Sequence, residues 1–330
     1  MSQTVRVHLS VAVIALLLLL GVAPVPHAAQ EGKGKKKKEP PPQGTPVLWR
    51  DPGNVSALDL FSGPGGEALK PAAPFTFVKE EKGGYSKKYR VRDAKGREWV
   101  AKLGVEAQPE TAVTRLVWAA GYVTEITYLS PSATIEGKGT FENVRFEARP
   151  EGVKRLDEWR WEQNPFSGTR ELRGLKIMMA LVENWDLKDS NNRVLVVSGP
   201  SGTELHYIVS DLGATIGKTG GQNGPIAFLR QVKGTRNEPA DYANDKFVEG
   251  VEGGHVRFNF SGKNSGLMRD ITVEDARWLG GILSRLSDKQ IEDAFRAANY
   301  TPEDVSVLAA SVRGRINQLT SLPAGAATPE

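Results

Sequence analysis

The sequence predicts an α+β fold in two parts: a small strand-rich part with one helix, then a mainly helical part. Apolar and polar residues alternate over residues 75–103, with turn residues between the alternating runs, as in antiparallel strands. Apolar residues then recur at helical spacing over residues 172–182. Helix-start signals follow at Thr272, Ser287 and Thr301.

Composition excludes several classes of protein. The chain has 330 residues, of which 39% are hydrophobic and 25% charged, which is typical of a globular protein. Its net charge is only +4, and the lysine run at residues 33–38 exceeds that surplus, so we expect no nucleic-acid partner. The absence of cysteine excludes disulfides, thiolate zinc sites and cysteine nucleophiles. Four histidines, two of them in the N-terminal segment, provide little for a histidine metal site or a Ser-His-Asp triad.

The N-terminal segment has two interpretations. Arg6, the apolar run 11–23 and the small residues Ala28 and Ala29 are typical of a secretory signal peptide over residues 1–29. The run 9–25 is also long enough to span a bilayer. In that case the lysines after it would keep the C-terminal side in the cytoplasm. We therefore expect a protein that is either exported, to the periplasm or outside the cell, or anchored by an uncleaved segment.

The remaining chain divides by composition. Residues 30–48 are rich in lysine and proline and are predicted to be a solvated tether. The lysines from Lys33 to Lys38 act either as a solubilising spacer or as a contact to anionic lipid heads at a membrane surface. A first lobe is expected over 49–150, a second over 151–322, and a disordered tail over 323–330.

Turn and cap residues set the elements of the first lobe. Strands are predicted around 75–78, 89–91 and 99–103, separated by turns that contain Gly83, Gly84 and Gly96. A helix is predicted from about Glu110 to Ala120, because Pro109 precedes it and Gly121 follows it. Two further strands are expected, at 126–129 and 144–148.

The second lobe is predicted to be mostly helical, with one hairpin. The apolar runs 194–197 and 206–209 flank a Ser-Gly-Pro-Ser-Gly turn, which indicates that hairpin. Residues 256–260 alternate like a strand. Ser287 and Gln290 form a capping-box pattern, and Pro302 stands at the first position of the last helix.

Four features of the chain occur in the order that phosphoryl transfer needs. Val100-Ala101-Lys102 ends a strand, and Glu110 lies on the next helix. Asp186-Leu187-Lys188-Asp189-Ser190-Asn191 follows a helix, and Asp211-Leu212-Gly213 follows a strand. Phosphoryl transfer uses a lysine on the nucleotide phosphates, a glutamate that holds it, an aspartate at the attacking hydroxyl, and aspartate and asparagine ligands for magnesium.

These segments resemble the protein-kinase-like superfamily. The kinase catalytic loop H-R-D-L-K-x-x-N is matched at Asp186, Leu187, Lys188 and Asn191 at the family's spacing. Asp211-Leu212-Gly213 resembles D-F-G, and Val100-Ala101-Lys102 resembles V-A-I-K. The resemblance covers residues 75–215 and is closest in outline to the atypical HipA-like and phosphoinositide-kinase-like branches.

The resemblance implies a two-lobed protein-kinase-like fold that binds ATP and Mg²⁺ between its lobes. It implies an enzyme that transfers the γ-phosphate to a hydroxyl of a protein, lipid or small molecule. The roles it implies are nucleotide binding by Lys102, Glu110, Gly83 and Gly84, catalysis by Asp186 and Lys188, and magnesium binding by Asn191 and Asp211.

The sequence also departs from the kinase pattern. Asn184 and Trp185 replace the histidine and arginine of H-R-D, and no A-P-E motif follows Asp211. Residues 82–86 are a weak substitute for the glycine-rich loop. Two alternatives therefore stay open: a non-catalytic kinase-like binding module, exported or tethered to a membrane, and a nucleotidyl transferase that attaches AMP.

Overall fold

The computed structural model describes residues 43–84, 86–217 and 237–323. The predicted signal peptide or anchor, most of the predicted tether and the tail from residue 324 onward lie outside the described residues and stay predictions. Among the helices of the described ranges, none combines the length and the apolar character that crossing a membrane requires.

The described chain alternates short strands with helices. Its strands are β1 (Thr45–Val47), β2 (Thr76–Glu81), β3 (Lys88–Arg92), β4 (Glu98–Lys102), β5 (Thr127–Ile135), β6 (Gly139–Ala148), β7 (Lys154–Arg155), β8 (Asn192–Gly199), β9 (Gly202–Val209), β10 (Val248–Glu252) and β11 (His255–Phe258). Its α-helices are α1 (Ala107–Ala119), α2 (Arg170–Leu181), α3 (Pro239–Asn244), α4 (Val273–Leu283), α5 (Asp288–Arg296) and α6 (Pro302–Thr320).

The first part is built on a five-stranded antiparallel sheet with the strand order β2-β3-β4-β6-β5. Trp99 and Ala101 of β4 pack with Phe146 of β6 in a core on one face. Because side chains alternate along a strand, Val100 and Lys102 lie on the opposite face, where both are buried. The remaining described chain is mainly helical, so the predicted α+β fold class is confirmed.

Helix α1 begins earlier than the sequence suggests. Its first residue is Ala107 rather than Glu110, and Pro109 lies within the first turn. Proline is tolerated there because the first N–H groups of a helix have no partner inside the helix. The early start places Glu110 on the first turn, one helical turn after Glu106 at the N-cap.

The packed chain starts before residue 49, where the predicted tether ends. Thr45–Val47 pairs in parallel with β9, and Val47 and Leu48 are buried. The predicted tether boundary is therefore a few residues too late. A strand of three residues is too short to be recognised from the sequence without its partner.

The segment that follows β1 connects the two parts of the fold. Gln290 of α5 donates from Nε2 to the carbonyl oxygen of Val55 at 2.9 Å. Arg115 of α1 donates from Nη2 to the carbonyl oxygen of Phe61 at 3.3 Å. The segment thereby links helix α1, which carries Glu110, to the C-terminal helices.

The helical part confirms the predicted caps and hairpin. Thr272 and Ser287 each accept a hydrogen bond at the start of α4 and α5 and complete capping boxes. Strands β8 and β9 form the predicted hairpin, with Val196 opposite Leu205. The loop of residues 184–191 lies between α2 and β8, and Asp211 follows β9 directly.

Candidate active site

Lys102 lies at the centre of a cluster of carboxylates. Its Nζ is 2.8 Å from Glu110 Oε2, 2.8 Å from Glu106 Oε2 and 3.3 Å from Asp211 Oδ1. Only 2% of the Lys102 side chain is exposed. The predicted pair of Lys102 and Glu110 therefore forms, and the structure adds Glu106, which the sequence analysis missed.

Glu110 joins two cations on neighbouring strands. Its Oε1 is 2.9 Å from Nη1 of Arg145, whose Nη2 is 2.8 Å from Glu147 Oε2. Lys102 and Arg145 stand opposite each other in the β4–β6 pair, where like charges repel. The Glu110 carboxylate between them offsets that repulsion and fixes the position of both side chains.

Burial and charge act against each other in this cluster. Burial by itself lowers the pKa of Lys102, but Glu110 and Asp211 outweigh it, so the pKa lies above its usual value. Burial outweighs Arg145 and Lys102 at the Glu110 carboxyl, so its pKa lies above its usual value. Both cations lie within 3 Å of its oxygens, which favours the ionised form. Lys102 is then held as a cation by the carboxylates around it.

The turn between β2 and β3 is connected to this cluster. Gly83 and Gly84 have φ angles of 101° and 76°, which glycine adopts without strain. Ser86, in the same turn, donates from Oγ to Glu106 Oε2 at 2.6 Å. The turn is therefore tied to Lys102 through Glu106. The predicted role of the two glycines in nucleotide binding stays a prediction.

Asp186 is oriented by its own loop. Its Oδ2 is 2.8 Å from Lys188 Nζ and accepts from Asn191 Nδ2 at 3.2 Å. Its backbone N–H donates to Asn184 Oδ1 at 3.2 Å, so Asn184 supports the loop at the position of the kinase histidine. Burial acts to raise the pKa of Asp186, but Lys188 and Asn191 outweigh it, so the pKa lies below its usual value.

Asp211 lies beside Asn191. The backbone N–H of Asp211 donates to the carbonyl oxygen of Asn191 at 3.2 Å, and the Gly213 N–H donates to Asp211 Oδ1 at 3.3 Å. Burial acts to raise the pKa of Asp211, but Lys102 and the Gly213 N–H hold it below its usual range. The Asp211 side chain is still 39% exposed. Its carboxylate is thus both ionised and accessible.

The oxygen atoms of Asp211 and Asn191 are suitable ligands for magnesium. Mg²⁺ in nucleotide sites is typically held by one or two protein oxygen ligands, with phosphates and waters completing the shell. Among the described residues no group of three or more His, Cys, Asp or Glu side chains could hold a metal. The site therefore fits a nucleotide-bound magnesium ion better than a metal held by protein ligands alone.

Direct contacts connect the predicted polar residues in one series. Lys102 contacts Glu110 and Asp211, Asp211 contacts Asn191, and Asn191 contacts Asp186. Three further residues join the series without having been predicted: Glu106, Arg145 and Lys263. Of these, Glu106 precedes Glu110 by four residues, a spacing that points to a shared helix face only once the helix is known to begin at Ala107 and not at Glu110.

A separate cavity of about 1330 Å³ opens beside the outer part of the sheet. Trp99, Arg149, Arg155 and Glu125 are among its lining residues, and none of the predicted site residues lines it. Glu125 accepts from Ser210 Oγ at 3.0 Å and lies 2.8 Å from Arg155 Nη1. Since Ser210 immediately precedes Asp211, its hydrogen bond to Glu125 connects the wall of this cavity to the candidate site.

Replacing Glu125 with glutamine is expected to make stability less dependent on pH. Burial and the neighbouring Glu147 raise the pKa of Glu125 from 4.5 to about 7. Because folding raises this pKa, the folded protein has its full stability below pH 4.5, where Glu125 is protonated. Ionising the buried carboxyl destabilises the folded state, so that stability is lost as pH rises through about 7. From pH 5 to pH 8, the free energy of unfolding of Glu125→Gln should therefore rise by roughly 3 kcal/mol relative to that of the wild type.

Urea unfolding at both pH values measures this change in the free energy of unfolding. The exposed Glu151, which lines the same cavity, provides the control Glu151→Gln, expected to change stability by less than about 0.5 kcal/mol. Parallel pH curves for Glu125→Gln and the wild type would show that Glu125 ionises normally in the folded protein.

Comparisons with known proteins give structural but not sequence matches. No protein-family model matches the sequence, and no curated protein matches it. Among solved structures, the chain is similar to the Helicobacter pylori proinflammatory kinase CtkA, with 13% identity and a TM-score of 0.47, over 76% of this chain and 98% of that one.

The chain is also similar to two structures of the Rio2 kinase from Chaetomium thermophilum. One is a complex with ADP, Mg²⁺ and phosphoaspartate, with 12% identity, a TM-score of 0.30 and coverage of 75% of this chain and 72% of that one. The other has 13% identity, a TM-score of 0.30 and coverage of 73% and 74%.

The chain's own architecture identifies the fold. A five-stranded antiparallel sheet carries Lys102, and the helix that follows carries the glutamate paired with it. A helix, the loop of residues 184–191, a hairpin and Asp211 then follow in kinase order. The kinase-like fold that the sequence resemblance implied is confirmed: the described chain has a divergent protein-kinase-like fold.

Proposed function

We propose that this protein is a phosphotransferase that moves the γ-phosphate of ATP to a hydroxyl group in a magnesium-dependent reaction. The observation that carries the proposal is the unbroken series of contacts from Lys102 through Asp211 and Asn191 to Asp186. In this series a buried lysine, an aspartate, an asparagine and a second aspartate lie next to one another, which supports the proposal because phosphoryl transfer uses such a set.

Each residue has a role in that reaction. Lys102, held by Glu110 and Glu106, binds the nucleotide phosphates. The acceptor oxygen bonds to the γ-phosphorus as the bond from that phosphorus to the β,γ-bridging oxygen breaks and ADP leaves. The acceptor's proton passes to Asp186 and then to solvent, while Lys188 faces the transferred phosphate.

Asp211 and Asn191 would hold magnesium. When bound, the ion neutralises charge on the phosphates, which lowers the barrier to transfer. The three carboxylates around Lys102 would then have two different roles. Glu106 and Glu110 keep the lysine in place, and the accessible Asp211 carboxylate is left for the metal.

Nucleotide binding and turnover are measured separately to test this function. Saturating ATP with magnesium, at 100 times its dissociation constant, should stabilise the protein by roughly 2.7 kcal/mol. Chelating magnesium or introducing Asp211→Asn should remove most of that gain. Mass spectrometry of the products should find ADP, which marks phosphate transfer, and not AMP, which marks nucleotide transfer.

The control is Asp157→Asn, an equivalent change at an exposed aspartate outside the site. This variant should be stabilised by magnesium-ATP as strongly as the wild type. Stabilisation by ATP with no ADP formed under any condition would favour a non-catalytic binding module. No stabilisation by ATP at all would refute both the phosphotransferase and the binding module.

A further inference from the structure

A segment far along the chain is built against the predicted catalytic loop. The Lys263 N–H donates to the carbonyl oxygen of Trp185 at 2.7 Å, and Asp186 and Lys263 form a parallel backbone bridge. Asn264 donates from Nδ2 to the carbonyl oxygen of Leu187 at 2.6 Å. These contacts hold the backbone of Lys263 on both sides of Asp186, so Lys263 belongs to the site.

The approach of this segment requires glycine at position 262. A Cβ on Gly262 would lie 2.6 Å from the Cα of Trp185 and 2.8 Å from its carbonyl oxygen, both backbone atoms that a side chain cannot displace easily. The Lys263 ammonium is therefore brought to the loop by backbone packing, and its position does not depend on the ion pair alone.

The two oxygens of Asp186 have different surroundings. Oδ2 is occupied by Lys188 at 2.8 Å and by Asn191 at 3.2 Å. Oδ1 is buried and, within the described part of the chain, the Lys263 ammonium is the partner it has. It lies 3.2 Å from Lys263 Nζ, which is close enough for an ion pair. Oδ1 is therefore the oxygen left for an acceptor hydroxyl, and the Lys263 ammonium covers it.

An acceptor hydroxyl can reach Oδ1 only when the Lys263 side chain moves aside. That side chain is 53% exposed, so it has solvent to move into. Its departure from Asp186 breaks an ion pair, and a neutral alcohol offers nothing in return. An alcohol with an anionic group beside its hydroxyl offers a new partner for both Lys263 and Lys188, whose side chain is 43% exposed.

We propose that Lys263 is a specificity-determining residue, which selects acceptors that carry an anionic group, such as a phosphate monoester or diester, next to the reacting hydroxyl. The inference rests on the proposed function and narrows its acceptor class. The anionic group draws the ammonium away from Asp186 Oδ1, pairs with it, and leaves the hydroxyl to occupy the freed position. The same chemistry would suit a soluble phosphate ester or an anionic lipid headgroup.

Binding is tested first and without turnover, by chemical acetylation of lysines read out by mass spectrometry. The protein is saturated with magnesium and a non-hydrolysable ATP analogue, and sn-glycerol 3-phosphate or glycerol is added. Glycerol 3-phosphate should slow acetylation of Lys263 and Lys188, and glycerol should not. Lys289, a surface lysine paired with Asp293 at 2.7 Å on α5, serves as the control whose acetylation rate should not change.

Turnover gives the second test. Wild-type kcat/KM should be higher for glycerol 3-phosphate than for glycerol by roughly two- to fivefold, the ratio expected of one partly exposed ion pair. Lys263→Gln should abolish the preference mainly through KM of the anionic acceptor, Lys263→Arg should retain it, and Lys289→Gln should leave it unchanged. Vesicles of phosphatidylglycerol, tested in parallel, distinguish a lipid source of the headgroup from a soluble one.

The two tests separate this inference from the proposed function. Protection of Lys263 without any turnover would support the anionic acceptor site and count against phosphate transfer. Turnover with equal kcat/KM for the two alcohols, or equal acetylation of Lys263 with and without glycerol 3-phosphate, would overturn the role of Lys263 while leaving phosphate transfer in place.

Discussion

Replacing Asp186 with asparagine is expected to lower the rate of phosphate transfer by roughly 10²–10⁴-fold, the range typical of losing a general base. The amide keeps nearly the shape of the carboxylate, and its oxygen can still accept from Asn191. It cannot take up the proton of the acceptor hydroxyl. Magnesium-ATP binding should be unchanged, because the phosphate and metal positions belong to Lys102, Asn191 and Asp211.

The measurement is ADP formation at saturating ATP, with thermal unfolding in the presence of magnesium-ATP as the check on binding. Asp189→Asn is the matched control. Asp189 lies in the same loop, and its Oδ1 accepts the Trp161 N–H at 3.2 Å, which an asparagine oxygen can also do. Retained transfer in Asp186→Asn, or an equal loss in Asp189→Asn, would contradict the role assigned to Asp186.

Local spacing explains why these residues could be found from the sequence. Asp186 and Asn191 lie in one short loop, so their separation along the chain fixes their separation in space. Lys102 ends a strand and Glu110 lies in the first turn of the next helix, which limits where the two can meet. The contact between Lys102 and Asp211 joins positions that lie 109 residues apart in the chain. It was predicted from the order of the motifs, through their resemblance to kinase motifs.

The residues that the sequence did not reveal depend on pairing between distant segments. Arg145 reaches Glu110 only because β6 pairs with β4 in a register that sets Arg145 opposite Lys102. Lys263 reaches Asp186 through a single backbone bridge from a segment that has no motif of its own. Neither register nor a one-residue bridge is encoded by local propensity, so single-sequence reasoning has no rule that finds them.

The buried position of Arg145 between two carboxylates makes it a sensitive point for stability. It lies between Glu110 at 2.9 Å and Glu147 at 2.8 Å, and its side chain is almost fully buried. Removing one partner of a buried ion pair leaves charges that water cannot reach, which is more damaging than losing the pair as a whole. Without Arg145, Glu110 would keep only Lys102, and Glu147 would keep Arg149 and Arg155.

Arg145→Met should therefore lower the free energy of unfolding by roughly 3–5 kcal/mol, measured by urea unfolding. The surface variant Arg92→Met, which breaks a 3.0 Å pair with Glu98, should change it by no more than about 1 kcal/mol. Adding Glu147→Met to Arg145→Met should deepen the loss, because Glu147 also pairs with Arg149 and Arg155, which would then lose that partner. Equal effects of the Arg145 and Arg92 variants would mean that Glu110 is not ionised between its two cations, and the rigid placement of Lys102 would then need another cause.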